Sequence, residues 1–273
     1  MSKAIADGDA KMLVDAHVHI HPGVSVADIL DAAARNMSAA ATGAGPLVGA
    51  LLLTESAGVN AYADLPQSAG DWALEATEEP ISRIARRASD GAALLIVAGR
   101  QIVTGEGVEA HALGALSGPE DGVALSAALT EIDNSGALAA LPWGVGKWSG
   151  ARGEVIGELI RSRRTPTVLL ADSGVRPSLM ARPALLAEGE ALGRIVLAGT
   201  DPLPLYGEER KPGRYGFVAE TALNPARPFA GLAGWLRAQT ASPAPYGRLE
   251  SLLVFVRQQV AMQVRKRLRP AAR

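Results

Sequence analysis

The sequence predicts one α/β domain over residues 1–273, a TIM-like (β/α)7 barrel with a C-terminal helical extension. Three observations lead there. A chain of 273 residues is long for a single sandwich and ordinary for one α/β barrel. Hydrophobic residues make up 48% and aromatic residues only 4%, so the core is built from many small aliphatic contacts, as helices packed on a parallel sheet supply. Short apolar runs bounded by Gly and Pro also alternate with helical patterns about seven times, with no internal repeat.

Taken in order, residues 12–16 form an apolar strand that runs into His17-Val18-His19-Ile20-His21-Pro22. Ser25 caps a helix whose apolar positions Val26, Ile29, Leu30 and Ala33 recur at helical spacing, ending near 36–38. The run 46–53 reads as a second, buried strand that delivers Thr54, Glu55 and Ser56 to its C-terminal edge. A loop follows, then a helix over about 72–88, broken or continued through Pro80. Residues 92–98 are the third strand, ending at Gly99-Arg100-Gln101, and 107–113 pairs with it across Thr104-Gly105-Glu106-Gly107. Beyond it come a helix over 120–134, a strand over 137–141, a helix over 152–164, a strand over 167–171, a helix over 181–192 and a strand over 194–198. The region 205–273 is a lid loop followed by C-terminal helices. Arg214-Tyr215-Gly216 is placed to fold over the barrel mouth, a helix spans about 228–239, and 246–268 is a basic amphipathic helix with Leu249, Leu252, Leu253, Val256, Val260 and Val264 on its apolar face. That face packs on the barrel or on a second subunit, so a homo-oligomer through this helix is one expectation.

Composition excludes several classes. With 27 basic and 28 acidic residues the formal charge is −1, which removes a general electrostatic case for nucleic acid or anionic membrane. There is no cysteine, hence no disulfide, thiolate ligand or thiol nucleophile; a metal must be held by His, Asp, Glu or a modified Lys. Residues 1–11 carry no apolar h-region, and no run approaches the roughly 18 apolar residues that span a bilayer. A cytoplasmic protein is expected.

The chemistry concentrates at strand C-terminal ends, where α/β barrels keep their active sites. His17 and His19 are two residues apart on a strand, so both imidazoles point to one face, and imidazole is a ligand for zinc, iron, copper or nickel. Solvated histidines at a polar strand end are the plain alternative. Three of the four histidines fall within five residues, and His21, ahead of Pro22, starts a loop. Glu55 is a candidate ligand or base. Lys147, in Trp143-Gly144-Val145-Gly146-Lys147-Trp148, is a carboxylated metal bridge, a cation for an anionic substrate, or a surface lysine. Asp172 is a general base beside a metal site or a turn cap. Arg176, Arg100 and Arg152 are candidate clamps for phosphate or carboxylate. Trp143 and Trp148 are platforms for a substrate ring or plugs in the core.

These pieces, in this order, resemble the polymerase-and-histidinol-phosphatase (PHP) family, and more distantly the amidohydrolase-like metal-dependent hydrolases. His17 and His19 match its opening His-x-His. Thr54-Glu55-Ser56 stands at its Thr-Asp-His strand end, Gly99-Arg100-Gln101 at its Gly-x-Glu, and Glu109-Ala110-His111-Ala112-Leu113-Gly114 fits the paired His-x-Leu-Gly strand. Pro142-Trp143 falls where a later His is expected, and Asp201 matches the final Asp while Leu203 replaces its His. The resemblance implies a distorted barrel and a ligand set of His17, His19, Asp201, His111 and Glu55. That set is depleted, and one divalent ion (Zn, Mn or Fe) suits it better than three. The implied function is a hydrolase of a small anionic substrate, a phosphoester first, with a catalytically inactive ligand- or protein-binding module as the alternative.

Overall fold

A computed structural model describes residues 11–41, 47–162, 167–221 and 223–268. Expectations for 1–10, Pro46 and Arg164 lie outside the described residues. Thirteen strands and six helices are assigned among them.

Sheet A has eight strands: β1 (Lys11–Val18), β2 (Val48–Leu53), β3 (Ser68–Ala69), β4 (Trp72–Ala76), β5 (Ser82–Arg87), β6 (Ala93–Val97), β12 (Tyr215–Glu220) and β13 (Pro245–Gly247). Its order is β13-β12-β1-β2-β6-β5-β4-β3, with β1, β2 and β6 parallel and the rest added antiparallel. Sheet B has five: β7 (Gly99–Val103), β8 (Glu109–Leu113), β9 (Leu138–Pro142), β10 (Val168–Ser173) and β11 (Val196–Gly199), in the order β11-β10-β9-β8-β7. The predicted closed (β/α)7 barrel is not what forms. The architecture is mixed α/β with two sheets, and seven consecutive strands, β2 to β8, run with no helix assigned between them among the described residues.

The departures have local causes. The stretch expected as a helix over 72–88 is the hairpin β4–β5, because Trp72 and Leu74 are buried while Ala73 and Glu75 are exposed, a period-2 pattern. Thr77 closes the connection, its hydroxyl meeting the Glu79 carbonyl and Ser82 Oγ. The third strand and its continuation part company at Gly99, where a Cβ would lie 2.1 Å from the Leu53 carbonyl oxygen; only glycine lets the chain pass that close and leave sheet A for sheet B. Tyr215 and Gly216, expected in a lid, belong to β12, which pairs antiparallel with β1 in the register Val14↔Phe217.

Apart from the 72–88 stretch, helices form where the periodicities predict them: α1 (Val26–Ala40) with Ser25 as N-cap, α2 (Leu125–Asn134), which starts five residues later than expected, α3 (Ala151–Arg161), α4 (Ala184–Ala191), α5 (Pro228–Arg237) and α6 (Leu252–Leu268). The helix expected from 246 starts six residues later, because Pro245–Gly247 is β13, paired with β12. One core joins the sheets: Val14, Leu52, Leu113, Leu169, Leu197 and Phe217 close around Phe229 and Leu232 of α5. A second lies between sheet A and α1, a third between sheet B and α2, α3 and α4. In α6, Gln258 is the buried residue, while Leu253, Val256, Val260 and Val264 remain exposed. The expected packing of that apolar face on the body of the domain is therefore not seen. Among the described residues no helix is long and apolar enough to cross a membrane.

Candidate metal centre

Strand β1 carries Met12, Val14 and Ala16 into the shared core and Leu13, of the opposite parity, into the core against α1, while Asp15 and His17 lie against the end of β11. The register with β2 shifts between Asp15 and Val18, and His19 follows where the strand stops. Asp15 is fully buried and accepts from the Thr200 N–H (2.8 Å), the Thr200 hydroxyl, the Gly213 N–H (2.8 Å) and the His17 N–H (3.2 Å). Burial pushes its pKa up to about 6 against the pull of these bonds. This carboxylate ties β1 to the segment after β11. At Gly199 a Cβ would meet the His17 nitrogen at 2.5 Å, so glycine allows the approach. Asp201 then donates its N–H to the His17 carbonyl (2.8 Å). Its φ of 57° makes it the one non-glycine residue with positive φ among those described. Asp is among the side chains that tolerate that region, and backbone strain of this kind collects at functional sites.

The result is a three-residue convergence. His17 Nε2 lies 3.0 Å from His19 Nε2 and 3.4 Å from Asp201 Oδ1, and His19 Nε2 lies 3.7 Å from the same oxygen. A tetrahedral ion with bonds of about 2.0–2.1 Å spaces its donor atoms about 3.3–3.4 Å apart. The three separations bracket that value, and His17, His19 and Asp201 form a possible ligand group. Burial holds the pKa of both imidazoles down, His17 well below the usual value and His19 to about 4, with the neighbouring His19 or His21 and Lys147 adding to it and Asp201 opposing it at His19. Neutral rings keep a lone pair for a metal. Ser173 Oγ donates to the second Asp201 oxygen (2.9 Å), fixing the carboxylate from behind.

His111 stands beside this group without joining it. Its ring meets the His17 ring edge-on at 4.4 Å, and it is completely buried with both ring nitrogens unpartnered, as is His17 Nδ1. Buried polar atoms without partners are uncommon. Three such imidazole nitrogens beside a ligand-like triad fit a centre made to receive a cation.

His19, Asp201, Lys147, Gln101 and His21 line one cavity of about 770 Å³. Lys147 pairs with Glu109 at 2.6 Å; burial lowers its pKa, but Glu109 and Asp201 outweigh that and leave it raised, so it is a fixed cation. His21 Nε2 donates to the Pro202 carbonyl (2.9 Å) and its ring stacks on His19 at 5.4 Å.

The remaining sequence candidates are engaged elsewhere. Glu55 accepts from the Tyr62 N–H (2.5 Å) and from Arg100 Nη1 (2.8 Å), so this pair is committed to the loop after β2. Asp172 has the parity of Leu170, which faces the outer core. It is clamped by Arg176 at 3.0 and 2.7 Å, with Tyr215 and Arg182 also donating. Arg152 donates to the Gly146 carbonyl, Trp143 packs in the outer core, and Trp148 donates to the Pro142 carbonyl. Sequence reasoning missed Asp15 and Ser173, and it named Gln101 only as the residue standing at the Gly-x-Glu position. An Asp inside the apolar run 12–16 was the available signal for the first, since a buried carboxylate needs dedicated donors.

No protein-family model and no curated protein matches the chain. Among solved structures it is similar to the crystal structure of PsfC from Pseudomonas syringae PB-5123, at 15% identity and a TM-score of 0.53, covering 93% of this chain and 98% of that one. At that identity the likeness concerns the fold alone.

Proposed function

We propose that the chain is a metal-dependent hydrolase of a small phosphoester, built on one divalent ion held by His17, His19 and Asp201. The observation that carries the reading is the convergence of two Nε2 atoms and one carboxylate oxygen within 3.7 Å of one another, with His19 and Asp201 on the wall of a large cavity and His17 buried behind them. These ligands also occupy the first and last positions of the PHP ligand pattern. The chemistry such an ion supplies when bound is charge withdrawal from a phosphoryl oxygen and acidification of water toward neutral pH.

The chain's own residues do the rest. Lys147, held by Glu109, neutralises the anionic group beside the triad. Gln101 offers an amide on the same wall. Hydrolysis joins the water oxygen to phosphorus, breaks the ester P–O bond and leaves a water proton on the departing alcohol. His21 is the wall imidazole outside the triad, and it is the residue assigned to pass that proton. Arg176 and Asp172 take no part, because they satisfy each other in the interior.

The test is 4-nitrophenyl phosphate turnover by protein loaded separately with Zn, Mn or Fe(II). Activity abolished by chelation and by Asp201→Ala, with KM raised about tenfold or more in Lys147→Met, is expected. Metal uptake without hydrolysis of phosphate esters or amides would contradict the hydrolase reading, and oxygen consumption with Fe(II) would move the site to the iron enzymes that share a two-His, one-carboxylate set.

A further inference from the structure

The metal-end groups occupy only part of the cavity, and the character of the rest points to a substrate. The outer wall comes from the loop after β1, the first turns of α1, the loop after β11 and α6. It presents Val24, Ile29, Leu203, Leu205, Tyr206 and Met262. Tyr206 is 91% exposed, which places it at the rim. The charges on this part are Asp28, Glu209 and Arg265. Arg265 Nη1 is engaged by the Pro204 carbonyl at 2.8 Å, and Glu209 takes the Gly207 N–H at 2.8 Å. The outer wall is thus apolar with an excess of one carboxylate, whereas the inner end carries Lys147 and the triad. Lys147 is paired with Glu109, so a divalent ion at His17, His19 and Asp201 would make the inner end the more positive one.

Resting on the hydrolase reading above, we infer that the substrate is the phosphate monoester of an apolar, uncharged alcohol, with the phosphate at the triad and the hydrocarbon against Leu205 and Met262. A second anionic group at the far end, as in a sugar bisphosphate or a nucleoside polyphosphate, meets two carboxylates, Asp28 and Glu209, against one guanidinium, Arg265, whose Nη1 is already held by the Pro204 carbonyl, and is disfavoured by the excess of like charge. A hydrocarbon body is favoured because its burial removes apolar wall and apolar chain from water together. Hydrolysis adds water across the P–O bond, giving inorganic phosphate and the free alcohol. Helix α6 is accordingly a specificity element: it supplies Met262 and Arg265 to the wall and is anchored by Gln258, whose amide donates to the buried Glu208 carboxylate at 2.8 Å.

The experiment compares methyl, butyl and hexyl phosphate as substrates of the metal-loaded protein, and methyl- and hexylphosphonate as ligands by calorimetry. The expected result is a kcat/KM that rises with chain length, about tenfold or more from methyl to hexyl, and a matching gain in phosphonate affinity. Met262→Asp and, separately, Leu205→Ser flatten both gradients while retaining the native circular dichroism. Equal kcat/KM across the series, a gradient unchanged in both variants, or a preference for fructose 1,6-bisphosphate over hexyl phosphate overturns the inference. If no ester turns over but hexylphosphonate still binds more tightly than methylphosphonate, the hydrolase reading fails and the apolar subsite stands.

Discussion

At the scale of single residues the centre is a pair of histidines and an aspartate whose positions are over-determined by neighbours that touch no substrate. Ser173 is the simplest of these: its hydroxyl holds the Asp201 oxygen that faces away from the histidines. Ser173→Ala is expected to weaken metal affinity about 10- to 100-fold with little change in melting temperature, read by metal titration and thermal unfolding. Glu55 makes a different test. Burial raises its pKa despite Tyr62 and Arg100, so its folded form favours the protonated state. The stability this contributes is present below the unfolded value, near 4.5, and is lost as pH rises through the folded pKa. The melting temperature of Glu55→Gln should therefore improve relative to the native protein as pH goes from 4.5 toward neutrality; a difference that is flat with pH would contradict the buried-carboxylate account. The His17–His19 pairing was legible because a two-residue spacing in extended chain points side chains to one face, a direction kept here although His19 lies just past the end of β1. Asp172 was misleading for the same reason in reverse, since the strand end shared with Ser173 says nothing about which parity faces the site until neighbouring strands are placed.

At the scale of elements, close backbone approach brings the ligands together. Gly199 lets β11 lie against β1 at His17, with no room for a Cβ. Gly199→Ala should cost about 2–4 kcal/mol and also abolish stoichiometric metal binding, because the Asp201 N–H bond to His17 O must lengthen. Loss of stability with full metal binding would show that the approach is structural only. Most helices were readable, as amphipathic periods bounded by Ser25 or Pro228 are local signals. The 72–88 hairpin was not read, because Pro80 and the intervening polar residues hide an alternation that becomes visible once Trp72 and Leu74 are seen buried together. The change of sheet at Gly99 left no local trace at all, since it depends on Leu53 and Ala112 arriving from elsewhere in the chain.

At the scale of the whole molecule, two sheets and α5 share one core, and the centre sits where their strand ends meet. Phe229 of α5 packs against Gly114, where a Cβ would lie 1.9 Å from its ring, and its N–H donates to Glu79 at 2.8 Å. Phe229→Ala should cost about 3–5 kcal/mol, seen as a lower denaturant midpoint in a single transition if the sheets unfold together. The sequence order of the ligand-bearing segments and the pairing of 107–113 with the strand before it were legible, but the architecture was not: closure into a barrel was inferred from alternation counts, and the antiparallel pair β4–β5, read as a helix, breaks that count. The most direct test of the account is metal stoichiometry, by elemental analysis of protein purified without an affinity tag and incubated with excess Zn, Mn or Fe(II), in the native chain and in Asp201→Ala. About one equivalent in the native protein, lost in the variant while its fold is retained by circular dichroism, is the predicted result. No bound metal in the native protein, or a full equivalent in Asp201→Ala, would contradict the centre described here.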